Sequence, residues 1–412
     1  MVDKLAKPTP RLPLTVALRV FLPFALGYFL SYVFRTVNSV IAPDLVADIG
    51  LSAADLGLLT GAFFLSFALF QLPLGILLDR YGPRRVEAAL LLLAALGALL
   101  FAWGDSLGTL TLARALIGLG VSACLMASFK AFVLWFSPQR LPLVNALLLA
   151  LGGSGALAAT VPVEWSLELI SWRTLFVVIA CYGLAVAAAV YLVVPEHPAA
   201  PAHASMIQQV RGLREVFQDR YFWRITPLTT LSQGSVLAVQ GLWAGPWLRD
   251  VAGLARDAVA FHLGVLAVAI VAGFLVSGLL ADRLARRGVR PASIAIGGMG
   301  VFVLVQALLV VAPPSWALPL WAAFGFFGTA GTLSYAVLSQ AFQGHLAGRV
   351  NTALNLMVFL AAFGLQWAVG AALTLWEDPL TRTYAAEGYR YVFAVLTLLQ
   401  LVALAWFFRP AK

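Results

Sequence analysis

The chain has 412 residues, 62% hydrophobic and 11% charged, with a formal net charge of +9 and a mean hydropathy of +0.92. A soluble domain carries about 25% charged residues, and a soluble fold of this length could not hide so much apolar surface. Soluble classes are therefore excluded and an integral, all-α membrane protein is predicted.

The apolar run that opens near residue 14 continues past Tyr28 without a small-residue cleavage site, so it reads as a first span rather than a leader. Crossing about 30 Å of hydrocarbon takes about 20 apolar residues. Windows of that kind fall at 14–40, 54–78, 85–104, 107–135, 141–163, 173–194, 222–247, 258–281, 291–312, 316–341, 351–375 and 387–408, twelve in all. The longest polar stretch, 195–221, separates six from six. The predicted organisation is an N-terminal six-helix bundle (1–194), an inter-bundle linker (195–221) and a C-terminal six-helix bundle (222–412).

With the N-terminus placed in the cytoplasm, nineteen of the 27 Lys and Arg residues fall in cytoplasmic segments or at the cytoplasmic ends of spans. Five fall in outer loops: Arg173, Arg249, Arg256, Arg382 and Arg390. The other three, Arg19, Arg35 and Arg114, lie within spans. This is the positive-inside pattern, so both termini are expected in the cytoplasm. The basic balance is then topology rather than a nucleic-acid surface. Short loops and the predominance of Arg over Lys suggest a bacterial inner membrane. Cys124 and Cys181 lie in apolar runs with no partner at metal-ligand spacing, so both are expected to be packed, with no metal site.

The two halves echo one another. "GILLDRYGPRR" (Gly75–Arg85) follows the second span and "GLLADRLARRG" (Gly278–Gly288) follows the eighth. "VNALL" from Val144 matches "VNTAL" from Val350, and "WRTLF" from Trp172 matches "YRYVF" from Tyr389. A repeated six-helix unit is the internal repeat of secondary transporters. Gly75, Asp79, Arg80, Gly82, Arg84 and Arg85 resemble the signature loop of the major facilitator superfamily. "LTLARALIGLGVSA", with Arg114, Gly118 and Gly120, resembles its fourth-helix motif, with Ile117 in place of the usual Gln. The resemblance implies two pseudo-symmetric six-helix bundles. It also implies that the loop, with Gly278, Asp282 and Arg283 as its counterpart, latches the halves in the outward-facing state. It further implies a cavity lined mainly by the first, fourth, seventh and tenth spans.

An ionisable side chain inside a membrane is a functional candidate by default. Arg35 lies eight residues before Pro43, about 10 Å below the outer surface at 1.5 Å per residue. Tyr28, Ser31, Tyr32, Arg35 and Asn38 form one polar stripe at helical spacing. Arg114 can lie level with Arg35, and Glu164 is the nearest acid to Arg114. Two readings stay open for Arg114: an anion site, or an Arg114–Glu164 brace.

The first span, with its "Y-x-x-R" motif, resembles that of organophosphate:phosphate antiporters. The seventh span departs from them in offering Gln233 and Gln240 rather than an arginine at depth. One arginine facing neutral amides suits a carboxylate better than a phosphate dianion. Trp243, Thr332 and Tyr335 complete the candidate site. A proton could accompany the substrate, with Glu164 as relay, or exchange could need none.

The expected function is secondary transport of a small organic anion by a monomer in the lipid bilayer, without cofactor. The competing reading is proton-coupled drug efflux. Its fifth-helix Gly-x-x-x-Gly-Pro signature is poorly matched by "GGSGALAATVP". An enzyme is not expected, because no nucleophile, base or metal set is assembled at recognisable spacing.

Overall fold

The computed structural model describes residues 13–137, 140–196, 206–342, 346–378 and 383–409. Among these, ten helices are long and apolar enough to cross a membrane. One of them, Ala53–Trp103, has 51 residues, about 75 Å if straight and more than twice the hydrocarbon thickness. It turns back at Gly82, whose φ of 78° is strained for any residue with a side chain. It therefore supplies both the second and the third span.

The seventh crossing is the polar one. Helix Arg220–Ala238, the π-helical turn Val239–Trp243 and helix Ala244–Asp250 follow without a gap. Twelve crossings result. Among the described residues the only extended pairing is an isolated bridge between Glu377 and Tyr384.

Local chemistry sets several helix starts. Ser52, Ser106 and Ser171 each accept from the backbone N–H three residues on, at 3.2 Å, and Asp219 does the same for Phe222 at 2.9 Å. At Ser52 the Asp55 carboxylate accepts from the Ser52 N–H in return, closing a capping box.

One end of the bundle carries Gly82, Gly288 and the described residues 194–196 and 206–220, and is called the linker end. The other carries Gly50, Gly104 and residues 251–255, and is called the distal end. Within 195–221 the structure has a helix, Met206–Gln218, with Val216 fully buried. Leu69, Leu96, Val133, Leu192, Leu304, Leu398 and Val402 are all more than half exposed, as suits a surface bathed in lipid rather than water. Cys124 is buried, but Cys181 is exposed, against the expectation of packing. Its side of the sixth span, Trp172–Val193, faces outward.

The fourth span runs Leu107–Val121 and Cys124–Trp135. It packs so closely that a Cβ on Gly118 would overlap the Phe63 carbonyl and one on Gly120 the Ala94 backbone. Gly120→Val is therefore expected to cost about 1–3 kcal/mol of stability through overpacking. The check is the thermal unfolding midpoint in detergent, which should fall below that of wild type.

Candidate functional site

The first span of each three-span unit is interrupted. The first breaks at Val37, between Leu14–Thr36 and Asn38–Ile49, and the fourth at 122–123. The seventh carries the π turn. The tenth passes through the 3-10 turn Thr329–Thr332, between Ala317–Gly328 and Leu333–Ala341. Broken helices free backbone groups at mid-membrane depth, which is how transporters build binding sites. The fifth span is also interrupted, between Leu141–Ala158 and Val161–Leu167.

Arg35 lies two residues before the first of these breaks. Its guanidinium carbon is 4.8 Å from the Tyr32 ring centre, 5.8 Å from Phe67 and 5.5 Å from Phe359. Phe67 stacks on Phe359 at 4.2 Å, joining the second span to the eleventh, Ala347–Leu373. Arg35 therefore stands where the two halves meet, half-buried, with a buried Nε that has no hydrogen-bond partner. No acidic side chain pairs with it among the described residues. The rings present π faces to the cation and leave its forked donors free.

The other predicted site residues divide. Tyr28 is buried edge-on to Tyr32 at 5.2 Å. Tyr335 lies within electrostatic reach of Arg35, and its hydroxyl donates to Asn355 Oδ1 at 3.0 Å. Asn38 Nδ2 donates to Thr60 Oγ1 at 3.0 Å, leaving Asn38 Oδ1 unpartnered. Gln240, within the π turn, is buried with Nε2 unpartnered.

The rest sit in other surroundings. Arg114 is fully buried; its Nη1 donates to the Phe34 carbonyl at 2.9 Å and its guanidinium covers the Phe63 ring at 5.0 Å, while its Nε and Nη2 have no hydrogen-bond partner. Glu164 is not beside it: Glu164 Oε1 is 2.5 Å from Arg256 Nε, so no Arg114–Glu164 brace forms. Gln233 donates to the Gly328 carbonyl at 2.7 Å, and Trp243 to the Gln366 carbonyl at 3.1 Å, fully buried.

Ion pairs mark two further sites. At the distal end Arg256, which opens the eighth span (Arg256–Arg286), grips Asp44 of the first span with Nη1 and Nη2, at 3.0 and 2.6 Å. With its Glu164 contact, this cation ties two spans of the first half to the second. A cavity of about 240 Å³ lies beside it, bounded by Ser39, Pro43, Glu164, Arg256 and Leu263.

At the linker end the partners lie in the first half and at the start of the inter-bundle segment. Asp79 pairs with Lys130, and Arg85 pairs with Glu196. Arg84 Nε donates to the Tyr191 carbonyl at 2.8 Å, and Arg80 covers the Tyr81 ring at 5.3 Å. In the matching loop Gly278 has open space where a Cβ would sit, and Arg283 is exposed. The side chain of Asp282 lies outside the described residues.

Sequence reasoning missed Phe67, Phe359, Asn355 and the Arg256 clamp. Only Arg256 carried a usable signal, as a base among the acids of the predicted outer loops.

The profile described as the Major Facilitator Superfamily matches residues 24–365. The chain belongs to that superfamily. As a facilitator it is a membrane transporter and not an enzyme.

A probable sulfoacetate transporter of Cupriavidus necator is 24% identical over 405 residues, covering 86% of this chain and 92% of that protein. A hexuronate transporter of Bacillus subtilis is 26% identical, covering 93% and 94%. Multidrug resistance protein MdtM of Salmonella typhimurium is 27% identical, covering 94% of each. A solved bacterial homologue of the human lysosomal transporter Spinster matches with a TM-score of 0.77 at 18% identity, over 98% of this chain and 97% of that one. At that identity it speaks to the facilitator fold alone.

Proposed function

We propose that this facilitator is a secondary active transporter of a small organic anion bearing a carboxylate, moved across a bacterial inner membrane by alternating access. The reading rests on Arg35, a cation between the halves with aromatic rings on its faces and no counter-ion among the described residues. A carboxylate matches the planar fork of a guanidinium with two parallel hydrogen bonds. Tyr28, Tyr32, Asn38, Gln240 and Tyr335 complete the proposed site. Sulfoacetate and hexuronates, the anions named for two relatives, both carry this group.

The charge split of the loops favours cytoplasmic termini, which puts the distal end outside. The conformer with Arg256 clamped on Asp44 and Glu164 is then closed to the outside. In the opposite state the Asp79–Arg85 cluster, satisfied here by Lys130, Tyr191 and Glu196, docks against the Gly278–Arg283 loop.

Arg114 acts in this account through packing. Arg114→Met is expected to change the anion's affinity less than tenfold, whereas losing a direct charged contact costs about 1.5–3 kcal/mol, or one to two powers of ten. Titration of thermal unfolding with sulfoacetate reads the difference.

The likeness to MdtM favours a second reading, drug efflux. Reconstituted vesicles separate the two. Saturable, mutually competitive uptake of sulfoacetate and galacturonate supports the anion reading. Proton-linked movement of tetraphenylphosphonium, with neither anion moving, replaces it by efflux.

A further inference from the structure

Glu87 is a buried acid that nothing above uses. It lies four residues past Pro83, in a third span that is otherwise almost wholly apolar, "VEAALLLLAALGALLFAW". Its side chain is 0% exposed, and neither carboxyl oxygen has a hydrogen-bond partner. The carboxyl points at the first span. A Cβ on Gly27 would overlap Glu87 Oε1 and come within 3.6 Å of Leu91, so the glycine makes the room the acid fills.

The titratable groups around it are few. From the fourth span the thiol of Cys124 is within electrostatic reach. From the first comes Tyr28, adjacent to Gly27. From the sixth comes Tyr182, whose hydroxyl donates to the Leu26 carbonyl at 3.4 Å. No charged side chain acts on Glu87 among the described residues. Cys124 also feels Arg35.

An ionised carboxylate in such a place forgoes several kcal/mol of solvation with nothing in return, and a carboxyl so placed takes up a proton instead. An aliphatic residue would be the stable choice for packing alone. Glu87 is also connected to the anion site. Gly27 precedes Arg35 by eight residues on the same helix, about 12 Å along its axis. The interval is bridged by Tyr28, which meets Tyr32 at 5.2 Å, and by Tyr32, which lies 4.8 Å from the guanidinium of Arg35.

We propose that Glu87 is the binding site of the coupling proton. It holds a proton in the conformer closed at the distal end and gives it up when movement of the first span, broken at Val37, opens the Gly27 contact to water. The coupling step is a plain proton transfer. The carboxyl O–H breaks and its proton passes to water at the linker end while the distal end stays clamped. After the clamp opens, the carboxylate takes a new proton from distal-side water before the carboxyl is buried again, so each cycle carries one proton from the distal to the linker side.

This assignment builds on the anion-transport reading, and its test separates the two. Infrared spectroscopy of the reconstituted full chain at neutral pH is expected to show the carbonyl stretch of a protonated carboxyl, lost in both Glu87→Gln and Glu87→Leu. Both variants fold if the carboxyl is neutral, since neither then leaves a charge unpaired. In vesicles, accumulation of sulfoacetate by wild type is expected to follow an imposed pH gradient, and in Glu87→Gln that dependence is lost. A spectrum without the band, or one unchanged in both variants, overturns the proton site. Equal gradient-driven accumulation by wild type and Glu87→Gln overturns the coupling role. If the band behaves as expected and no anion moves in wild type, the proton site stands and the anion reading falls.

Discussion

Replacing Arg35 by alanine is expected to abolish anion transport while leaving the protein folded. The guanidinium is ringed by Tyr32, Phe67 and Phe359 and pairs with no acid among the described residues, so its removal strands no opposite charge there. What is lost is the anion's fork of charge-assisted hydrogen bonds. At about 1.5–3 kcal/mol for each bond to a charged group, two bonds correspond to a loss of about a hundredfold or more in affinity. Arg35→Lys keeps the charge but loses the planar fork and its stacking. It should fall between, at about a tenfold loss. Initial rates of sulfoacetate uptake across a concentration series in vesicles rank the three proteins. Retained transport in Arg35→Ala would remove the basis of the proposed site.

The second large effect is expected at the distal clamp. Arg256 satisfies Asp44 through a fork and Glu164 through Nε, and the Glu164 side chain is only 9% exposed. Without the guanidinium two carboxylates face one another, one of them nearly dry, and the closed arrangement loses its only cross-half ion pairs among the described residues. The Arg256 side chain is itself 42% exposed, so solvent screening limits what each pair contributes. About 1–2 kcal/mol in favour of the distal-open state is a fair allowance, a five- to thirtyfold shift in the ratio of conformers. Spin labels on the distal ends of the two halves should report a longer distance in Arg256→Ala than in wild type. Glu164→Gln, which keeps the fork to Asp44, should shift the distribution less. An unchanged distribution in Arg256→Ala would mean that apolar packing alone closes this end.

The spans were readable in the sequence because hydrocarbon imposes one rule on every window. The turn between the second and third was readable because Gly82 and its basic neighbours stand out against that background. The seventh span was found although its Thr, Ser and Gln residues make it the least apolar, but its π turn was not, since packing rather than propensity produces it.

The site was legible only along a single helix. Tyr28, Tyr32, Arg35 and Asn38 share a stripe by helical spacing. That Phe67 and Phe359, far apart in the chain, would face Arg35 depends on how two helices are rotated against each other. The same limit explains Glu164. Along the spans it is the nearest acid to Arg114, but position along a span says nothing of direction, and the carboxylate turns toward Arg256 of the other half. Glu87 was overlooked because it stands at the entry of its span, where an acid usually reaches water; Gly27 and the burial of the carboxyl deny it that.

The central claim is that Arg35 receives a small carboxylate, and thermal unfolding of the purified protein tests it most directly. A ligand raises the apparent stability by roughly RT ln(1 + [L]/Kd), so even weak binders register at high concentration. The panel would hold sulfoacetate, galacturonate, neutral sugars, amino acids and tetraphenylphosphonium. The account predicts a concentration-dependent rise in the midpoint with the two anions in wild type, and none in folded Arg35→Ala. Stabilisation by tetraphenylphosphonium alone, or by the anions equally in both proteins, would contradict it.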